Sequence, residues 1–160
     1  MLLIIRDPRM NANVRGAVND EFTLNIDLAP TILAAAGVQR PQKMMGRDIA
    51  DLYKQPEQQT TFLKQTEKSI PWRQDFFHEH PTIRNAAFIP SSEALVCKKY
   101  KYIYWPNFDL EQMFHLVEDP YELRDLINSR YTINRDKLQS VQIRFKEFKG
   151  QIQSNKQVML

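Results

Sequence analysis

The sequence predicts a mixed α/β (α+β) protein that ends in a small antiparallel sheet packed on a C-terminal helix. Three patterns predict this class: an apolar run near the start, a two-residue alternation in residues 100–105, and a late apolar stripe at helical spacing. The chain has 160 residues, of which 42% are apolar and 26% charged, the balance of an ordinary globular protein. We expect two parts, residues 1–70 and residues 71–160.

The first part, residues 1–70, is predicted to contain a strand, a loop and a short helix. The run from Leu2 to Ile5 does not alternate with polar residues, as in a strand that is covered on both faces. Such a strand needs neighbours, which would be encoded ahead of Met1. The helix should begin near Asp27, a good N-cap, because Pro30 is tolerated only in a first turn. Gly37 is the predicted stop.

The second part, residues 71–160, is predicted to be a sheet followed by a helix. In residues 100–105, tyrosines alternate with other residues, a pattern typical of a strand. The predicted strands are Asp75–Glu79, Asn85–Ile89, Ala94–Lys98, Tyr100–Trp105 and Gln112–Val117.

The C-terminal helix is predicted from one apolar stripe at steps of three and four residues. Asn134 is expected to cap this helix, and Ile133 to pack against its first turn. The stripe consists of Leu138, Val141, Phe145, Phe148 and Ile152.

Charge and composition argue against several classes of function. The net charge is +3, but the basic residues are spread along the chain without a nucleic-acid-binding motif, so no nucleic-acid partner is expected. The apolar run at the start is far shorter than the ~20 residues of a membrane span and too short for a signal peptide. The single cysteine, Cys97, lies in an apolar run and is predicted to be a small buried hydrophobe.

No catalytic constellation is recognisable from the residues alone. His78 and His80 would share one face of a strand, but no third metal ligand is recognisable, so no metal site is predicted. Ser91 and Ser92 follow a proline and lack both a positioned base and the strained turn that precedes a serine nucleophile. We therefore interpret them as part of a turn between strands.

Several short segments, in the same order along the chain, resemble sequence motifs of the formylglycine-dependent sulfatases of the alkaline-phosphatase superfamily. The opening from Leu2 to Pro8 is similar to the family strand that reads Pro-Leu-Ile-Ile. Phe114 and His115 depart from the pattern, because the family has Tyr and Asp there. The remaining matching phrases cover most of the chain: Asn25–Leu33, Ala36–Val38, Met45–Ile49, Phe76–Pro81, Ile89–Glu93, Tyr100–Ile103 and Met113–Glu122.

The resemblance implies a parent enzyme that hydrolyses sulfate esters with a formylglycine, made within Cys-x-Pro-x-Arg, and a calcium ion. Neither the Cys-x-Pro-x-Arg segment nor the family's calcium-binding segment occurs here. Cys97 is followed by Lys-Lys-Tyr-Lys, so it cannot be the modified residue. The chain is thus expected to be a C-terminal fragment without catalytic residues or cofactors, inactive alone. Members of this family are often periplasmic or secreted, but the compartment of the parent stays open.

In this family the C-terminal subdomain closes one side of the active-site cleft, which implies a substrate-binding role for part of this chain. We expect His80 and Glu79, with Ser91 or Ser92, to face that cleft. A sulfated substrate would then be a partner only together with the N-terminal part. An exposed apolar edge at Leu2–Ile5 predicts self-association. The alternative is a stand-alone module that binds sulfated glycans through the tyrosine-rich hairpin and its basic neighbours.

Overall fold

The computed structural model describes residues 3–54, 71–81, 89–128 and 135–157. The chain divides into two compact units, Met1–Arg73 and Gln74–Leu160. The start of the predicted strand at Leu2, most of the predicted strand Asn85–Ile89, and the predicted helix cap at residues 133–134 lie outside the described residues.

The first unit contains one helix, α1 (Leu28–Ala35), which follows a 3₁₀ turn at Asn25–Asp27. The predicted end at Gly37 is confirmed: this glycine has a φ of 69°. Its N–H donates to the carbonyl of Ala34, and Val38 N–H donates to that of Leu33 at 2.9 Å. These two bonds form a Schellman motif, which satisfies the last carbonyls of the helix and favours glycine at its left-handed position.

The start of α1 is only partly as predicted. Asp27 does occupy the residue before the helix, but its side chain makes no capping bond to α1. Its carboxylate instead accepts hydrogen bonds from the backbone N–H groups of Leu24 and Arg47 and from the guanidinium of Arg73. Burial explains the difference, since Asp27 is 0% exposed and its charge requires partners from several segments.

The predicted strand from Leu2 to Ile5 is not formed in the part of it that the structure describes. Residues 3–5 belong to no strand, and Ile4 is 83% exposed. A strand requires a ladder of hydrogen bonds to a neighbour, and no described segment of the first unit pairs with this run. The described part of this run is therefore not a strand in this chain, whose described residues supply no neighbour for it.

A close backbone contact fixes the identity of Gly46. A Cβ atom at this position would lie 2.0 Å from the carbonyl oxygen of Ile26, which is far inside van der Waals contact. The segment after it forms a 3₁₀ turn at Ile49–Leu52, whose Ile49 and Ala50 are buried. Ile49 N–H donates to the hydroxyl of Thr31 in α1 at 2.9 Å, so this turn is held against the helix.

The second unit contains an antiparallel sheet in the order β1-β2-β3-β4. Four of the five predicted strands are confirmed, with boundaries shifted by up to two residues, and Ile89, the one described residue of the fifth, lies in no strand. The strands are β1 (Asp75–His80), β2 (Ser92–Cys97), β3 (Tyr100–Trp105) and β4 (Leu110–His115).

One face of the sheet forms the core with the last helix, α2 (Arg135–Gln157). A row of paired residues crosses this face from Phe77 through Leu95 and Tyr102 to Met113. Phe145 of α2 lies over the row, with its ring centroid 5.3 Å from that of Phe77 and 5.0 Å from that of Tyr102. The predicted helical stripe is confirmed for four of its residues, which all belong to this core: Leu138, Val141, Phe145 and Phe148.

The outer edge of β4 is covered by the segment after it. Leu126 N–H donates to the carbonyl of Met113 at 2.8 Å, and Met113 N–H donates to the carboxylate of Asp125 at 3.1 Å. Asp125 also accepts bonds from Ile127 N–H and the side chain of Asn128. This carboxylate replaces a strand neighbour and protects the edge from pairing with another chain.

Candidate functional site

The second unit contains a cavity of about 220 Å³, which we name the His80 cleft. All four residues that the sequence predicted as substrate-binding line it. The lining residues are Glu79, His80, Pro81, Ser91, Ser92, Glu93 and Pro106.

The cleft lies where β1 ends and β2 begins. His80 is paired with Ser92 and Glu79 with Glu93 in the register of these two strands. Directly opposed residues of antiparallel strands point to the same face of the sheet, and successive residues of one strand point to opposite faces. Glu79 and Glu93 therefore share the face that α2 covers, whereas His80 and Ser92 share the other face. The register brings residues that are about a dozen positions apart in the sequence to the same end of β1 and β2.

His80 has an unsatisfied polar atom in the cleft. Its side-chain Nδ1 is buried and has no hydrogen-bond partner among the residues that the structure describes. Buried polar atoms in folded proteins nearly always have a partner, which is supplied by protein, water or a ligand. The imidazole is therefore a candidate contact for a bound molecule.

Glu93 is paired with a residue that the sequence did not indicate. Lys149 of α2 places its Nζ 2.7 Å from the carboxylate of Glu93, and the same ammonium lies 5.5 Å from the ring centre of Tyr104. The Glu93 side chain is only 15% exposed, so solvent screens this ion pair less than an ordinary surface pair. The contact joins one wall of the cleft to the helix behind the sheet.

Asn107 holds another wall of the cleft and was also missed by the sequence analysis. It lies in the four-residue loop between Trp105 and Leu110, which are paired at the ends of β3 and β4. The side-chain oxygen of Asn107 accepts two bonds from Ser91, at 3.0 Å from the backbone nitrogen and at 2.7 Å from the hydroxyl. Asn107 therefore fixes the loop that precedes β2.

The loop that carries Asn107 has residue types that suit its backbone. Phe108 N–H donates to the carbonyl of Trp105 at 3.1 Å, which closes a β-turn with Pro106 in the position where a fixed φ is favourable. Asp109 follows with a φ of 47°, a left-handed conformation that aspartate tolerates better than most residues. Its carboxylate accepts a bond from the hydroxyl of Tyr104 at 3.1 Å.

The first unit contains a larger cavity, of about 380 Å³, beside the start of the chain. Three of its polar side chains bind one another: Arg9 pairs with Asp7 at 2.7 Å, and the hydroxyl of Tyr53 donates to the same carboxylate at 2.9 Å. The Arg9 hydrogen bond outweighs burial and holds the pKa of Asp7 well below its ordinary value. Burial and the Asp7 carboxylate raise the pKa of Tyr53. This network stabilises the segment and leaves the His80 cleft as the candidate site.

Neither cofactor of the family pattern fits the residues described here. Among them, no three His, Cys, Asp or Glu side chains are arranged to hold a metal ion. Cys97 packs against the core of the sheet, and burial together with the Asp75 carboxylate raises the pKa of its thiol. We therefore derive no chemical step through calcium or formylglycine in this chain. Across the described residues, no helix combines the length and the apolar character that crossing a membrane requires.

Comparison with known families decides where the chain belongs. Residues 1–147 match the family model for the C-terminal part of N-sulphoglucosamine sulphohydrolase. The chain belongs to this sulfatase C-terminal family. An arylsulfatase from Clostridium perfringens (strain 13 / Type A) is 32% identical over 138 residues, which make up 85% of this chain and 24% of that protein.

Solved sulfatase structures have the same fold as this sulfatase C-terminal domain. BT4656, in complex with its substrate D-glucosamine-2-N,6-O-disulfate, matches 81% of the chain with a TM-score of 0.64 and 19% identity. BT1596, a 2-O GAG sulfatase, matches the same share with a TM-score of 0.56 and 17% identity. The chain spans only 24% of the length of each of these relatives. The predicted fold class, an antiparallel sheet with a C-terminal helix in a mixed α/β protein, is confirmed.

Proposed function

We propose that this sulfatase C-terminal domain forms one wall of the substrate cleft of a sulfatase and does not hydrolyse sulfate esters by itself. The observation that carries the proposal is the His80 cleft, where Glu79, His80, Ser91 and Ser92 meet. The resemblance to sulfatases implies a substrate-facing role for the same four residues. Calcium and formylglycine would belong to the catalytic part, which corresponds to the other three-quarters of the relatives' length.

We propose a sulfated sugar as the substrate of the complete enzyme. Support comes from the relatives, because one is described with a disulfated glucosamine as its substrate and another as a 2-O GAG sulfatase. A sugar ring carries many hydroxyl groups, and the polar side chains of the cleft can hydrogen-bond to hydroxyls. The role of this chain would be to bind and orient the substrate, while the catalytic part performs the reaction.

A domain exchange tests the proposal. The segment of the Clostridium perfringens arylsulfatase that matches this chain would be replaced by residues 1–147, and hydrolysis of a chromogenic aryl sulfate and of a sulfated glucosamine would be measured. We expect the chimera to be active and the isolated chain to be inactive with calcium present. His80→Ala in the chimera should raise KM for the sugar more than for the aryl sulfate. His78→Ala is the matched control, because His78 is an exposed histidine of the same strand that does not line the cleft.

Two outcomes would contradict the proposal. Turnover by the isolated chain would show that it has catalytic residues of its own. An active chimera in which His80→Ala and Glu79→Gln leave KM unchanged for both substrates would show that the cleft does not contact substrate.

The alternative function, a stand-alone module that binds sulfated glycans, has weaker support. It requires basic side chains on the tyrosine-rich hairpin that are available to sulfate groups. Lys101 on β3 contacts the carboxylate of Glu122 at 2.7 Å. This charge on the hairpin already has an anionic partner, so we favour the cleft-wall role.

A further inference from the structure

The turn after β4 is closed by two hydrogen bonds that both end on His115. The N–H of Asp119 donates to the carbonyl of His115 at 2.8 Å. The N–H of Glu118 donates to the side-chain Nδ1 of the same histidine at 3.1 Å. The turn therefore depends on the state of one imidazole as well as on the backbone.

The bond to Nδ1 of His115 is possible in only one state of the ring. A backbone N–H can only donate, so Nδ1 must offer its lone pair to the N–H of Glu118. In the neutral imidazole one nitrogen carries the hydrogen and the other accepts, which places the hydrogen on Nε2. In the imidazolium both nitrogens carry a hydrogen, and Nδ1 has no lone pair left. Protonation therefore breaks this bond.

The sheet holds the imidazole of His115 in this orientation. His115 is the last residue of β4 and is paired with Tyr100 of β3. Their rings meet edge to face, with centroids 4.7 Å apart and planes at 83°. The His115 side chain is only 17% exposed, so packing limits its rotation.

The charged side chains near the ring act in opposite directions. The carboxylate of Glu118 lies 3.8 Å from Nε2 and attracts a positive ring, but it is 81% exposed and therefore screened by solvent. Lys137 of α2 lies 5.2 Å from the centre of the Tyr100 ring and brings a positive charge to the same side. Lys99 adds a cation in the neighbouring turn, where its carbonyl accepts from Leu116 N–H at 2.8 Å. None of these charges replaces the acceptor that the Glu118 N–H loses on protonation.

We propose that His115 makes the turn after β4 pH-sensitive, because the neutral ring closes the turn and protonation at Nδ1 releases the N–H of Glu118. Imidazoles change charge between about pH 5 and pH 8. The closed turn binds fewer protons than the open turn, so it is favoured at the upper end of this range and is lost as the pH falls. The inference goes beyond the cleft-wall role, since this turn does not line the His80 cleft.

NMR of the full 160-residue chain tests the proposal. At pH 8, the ring couplings of His115 should show a hydrogen on Nε2 and none on Nδ1. Amide exchange is then compared at pH 8 and pH 5, with each rate divided by that of the same amide in an unstructured peptide. The protection of the Glu118 N–H should fall about threefold to tenfold at pH 5, the effect of about one lost hydrogen bond. A hydrogen on Nδ1 at pH 8, or equal or higher protection at pH 5, would overturn the proposal.

Two variants separate the acceptor from the ring. His115→Asn places a side-chain oxygen where Nδ1 lies and takes up no proton in this range, so it should protect the Glu118 N–H equally at both pH values. His115→Phe keeps a ring against Tyr100 but has no acceptor, so the protection should be low at both. A pH dependence of the wild-type size in either variant would assign the effect to another group and contradict the role of His115.

A third variant separates the N–H of Glu118 from its carboxylate and keeps the test decisive where His115→Phe does not fold. Glu118→Gln removes the charge near Nε2 and leaves the backbone N–H in place, so the fall in protection at pH 5 should persist within about twofold. His78→Ala, which changes an exposed histidine of β1, is the control and should keep the wild-type pH dependence. Loss of the pH dependence in Glu118→Gln would show that the carboxylate is responsible and would refute the proposal.

Discussion

Arg73 binds Asp27 through both terminal guanidinium nitrogens, and each nitrogen contacts a different oxygen of the carboxylate. The same carboxylate accepts bonds from Leu24 N–H at 2.7 Å and Arg47 N–H at 2.8 Å. Asp27 is 0% exposed, and the side chain of Arg73 is only 10% exposed. One aspartate therefore joins three separate segments of the first unit.

Removal of this carboxylate should destabilise the first unit severely. We expect Asp27→Ala to lower its free energy of unfolding by about 3–5 kcal/mol, because Arg73 would be left buried without a counter-charge. Tryptophan fluorescence in a urea titration measures this in a Trp105→Phe background, where Trp72 is the one remaining tryptophan. The Trp72 indole donates to the carbonyl of Phe22 at 2.9 Å within the first unit. Asp20→Ala, at an exposed position, is the control. Similar midpoints for the two variants would contradict the expectation.

The carboxylate of Asp27 should also make the stability of the first unit sensitive to acid. Burial raises the pKa of Asp27, but the Arg73 and backbone hydrogen bonds outweigh it, so the pKa in the folded state lies below the ordinary value. A lowered folded-state pKa means that the stabilisation is complete above the unfolded value of about 3.9 and is lost as the pH falls through the folded value. The Trp72 signal should follow this loss. Asp27→Asn should flatten the pH dependence of the free energy of unfolding over that range. A pH profile that is the same in the variant and the wild type would contradict the prediction.

Cys97 should react slowly with alkylating agents in the folded protein. Burial and the Asp75 carboxylate raise the pKa of the thiol, so less of the reactive thiolate is present at a given pH than in a free cysteine. Iodoacetamide labelling followed by mass spectrometry should show a rate below that of a cysteine peptide. Labelling at the peptide rate is expected only in denaturant, and the same rate without denaturant would disprove the prediction.

Self-association through the start of the chain remains a prediction. Ile4 is 83% exposed and follows Leu3, which is 38% exposed. We expect Ile4→Lys to reduce the weight-average mass in sedimentation velocity at high protein concentration, because a charge disfavours association of apolar surfaces. Val18→Lys is the matched control, since Val18 is 88% exposed but lies outside the apolar run. Equal masses for the wild type and Ile4→Lys would rule out this surface.

The elements that the sequence predicted best are those with a clear period. The alternation in Tyr100–Trp105 and the stripe on α2 each follow from local geometry, in which one face is buried. The run from Leu2 to Ile5 has no period, and its apolar character alone did not decide between a strand and an exposed segment. A strand forms only where a neighbouring strand accepts and donates its backbone hydrogen bonds, and the local sequence does not show whether such a neighbour exists.

The candidate site was predictable only in part, because some of its contacts join residues that are distant in the sequence. Glu79, His80, Ser91 and Ser92 stood out through the family resemblance, and the structure brings them to one cleft. Asn107 and Lys149 did not stand out, because their partners are 16 and 56 residues away in the sequence. Such contacts arise from the hairpin connection and from the packing of a helix on the sheet, which a motif of neighbouring residues does not encode.

The identity of Gly46 has a steric origin. The carbonyl of Ile26 occupies the space where any side chain would begin, so the turn at this point is closed to every residue but one. Evolutionary drift in related chains should therefore leave this position fixed even where the substrate changes. Invariance here would report how tightly two backbones approach each other, and would say nothing about which sulfate ester is cleaved.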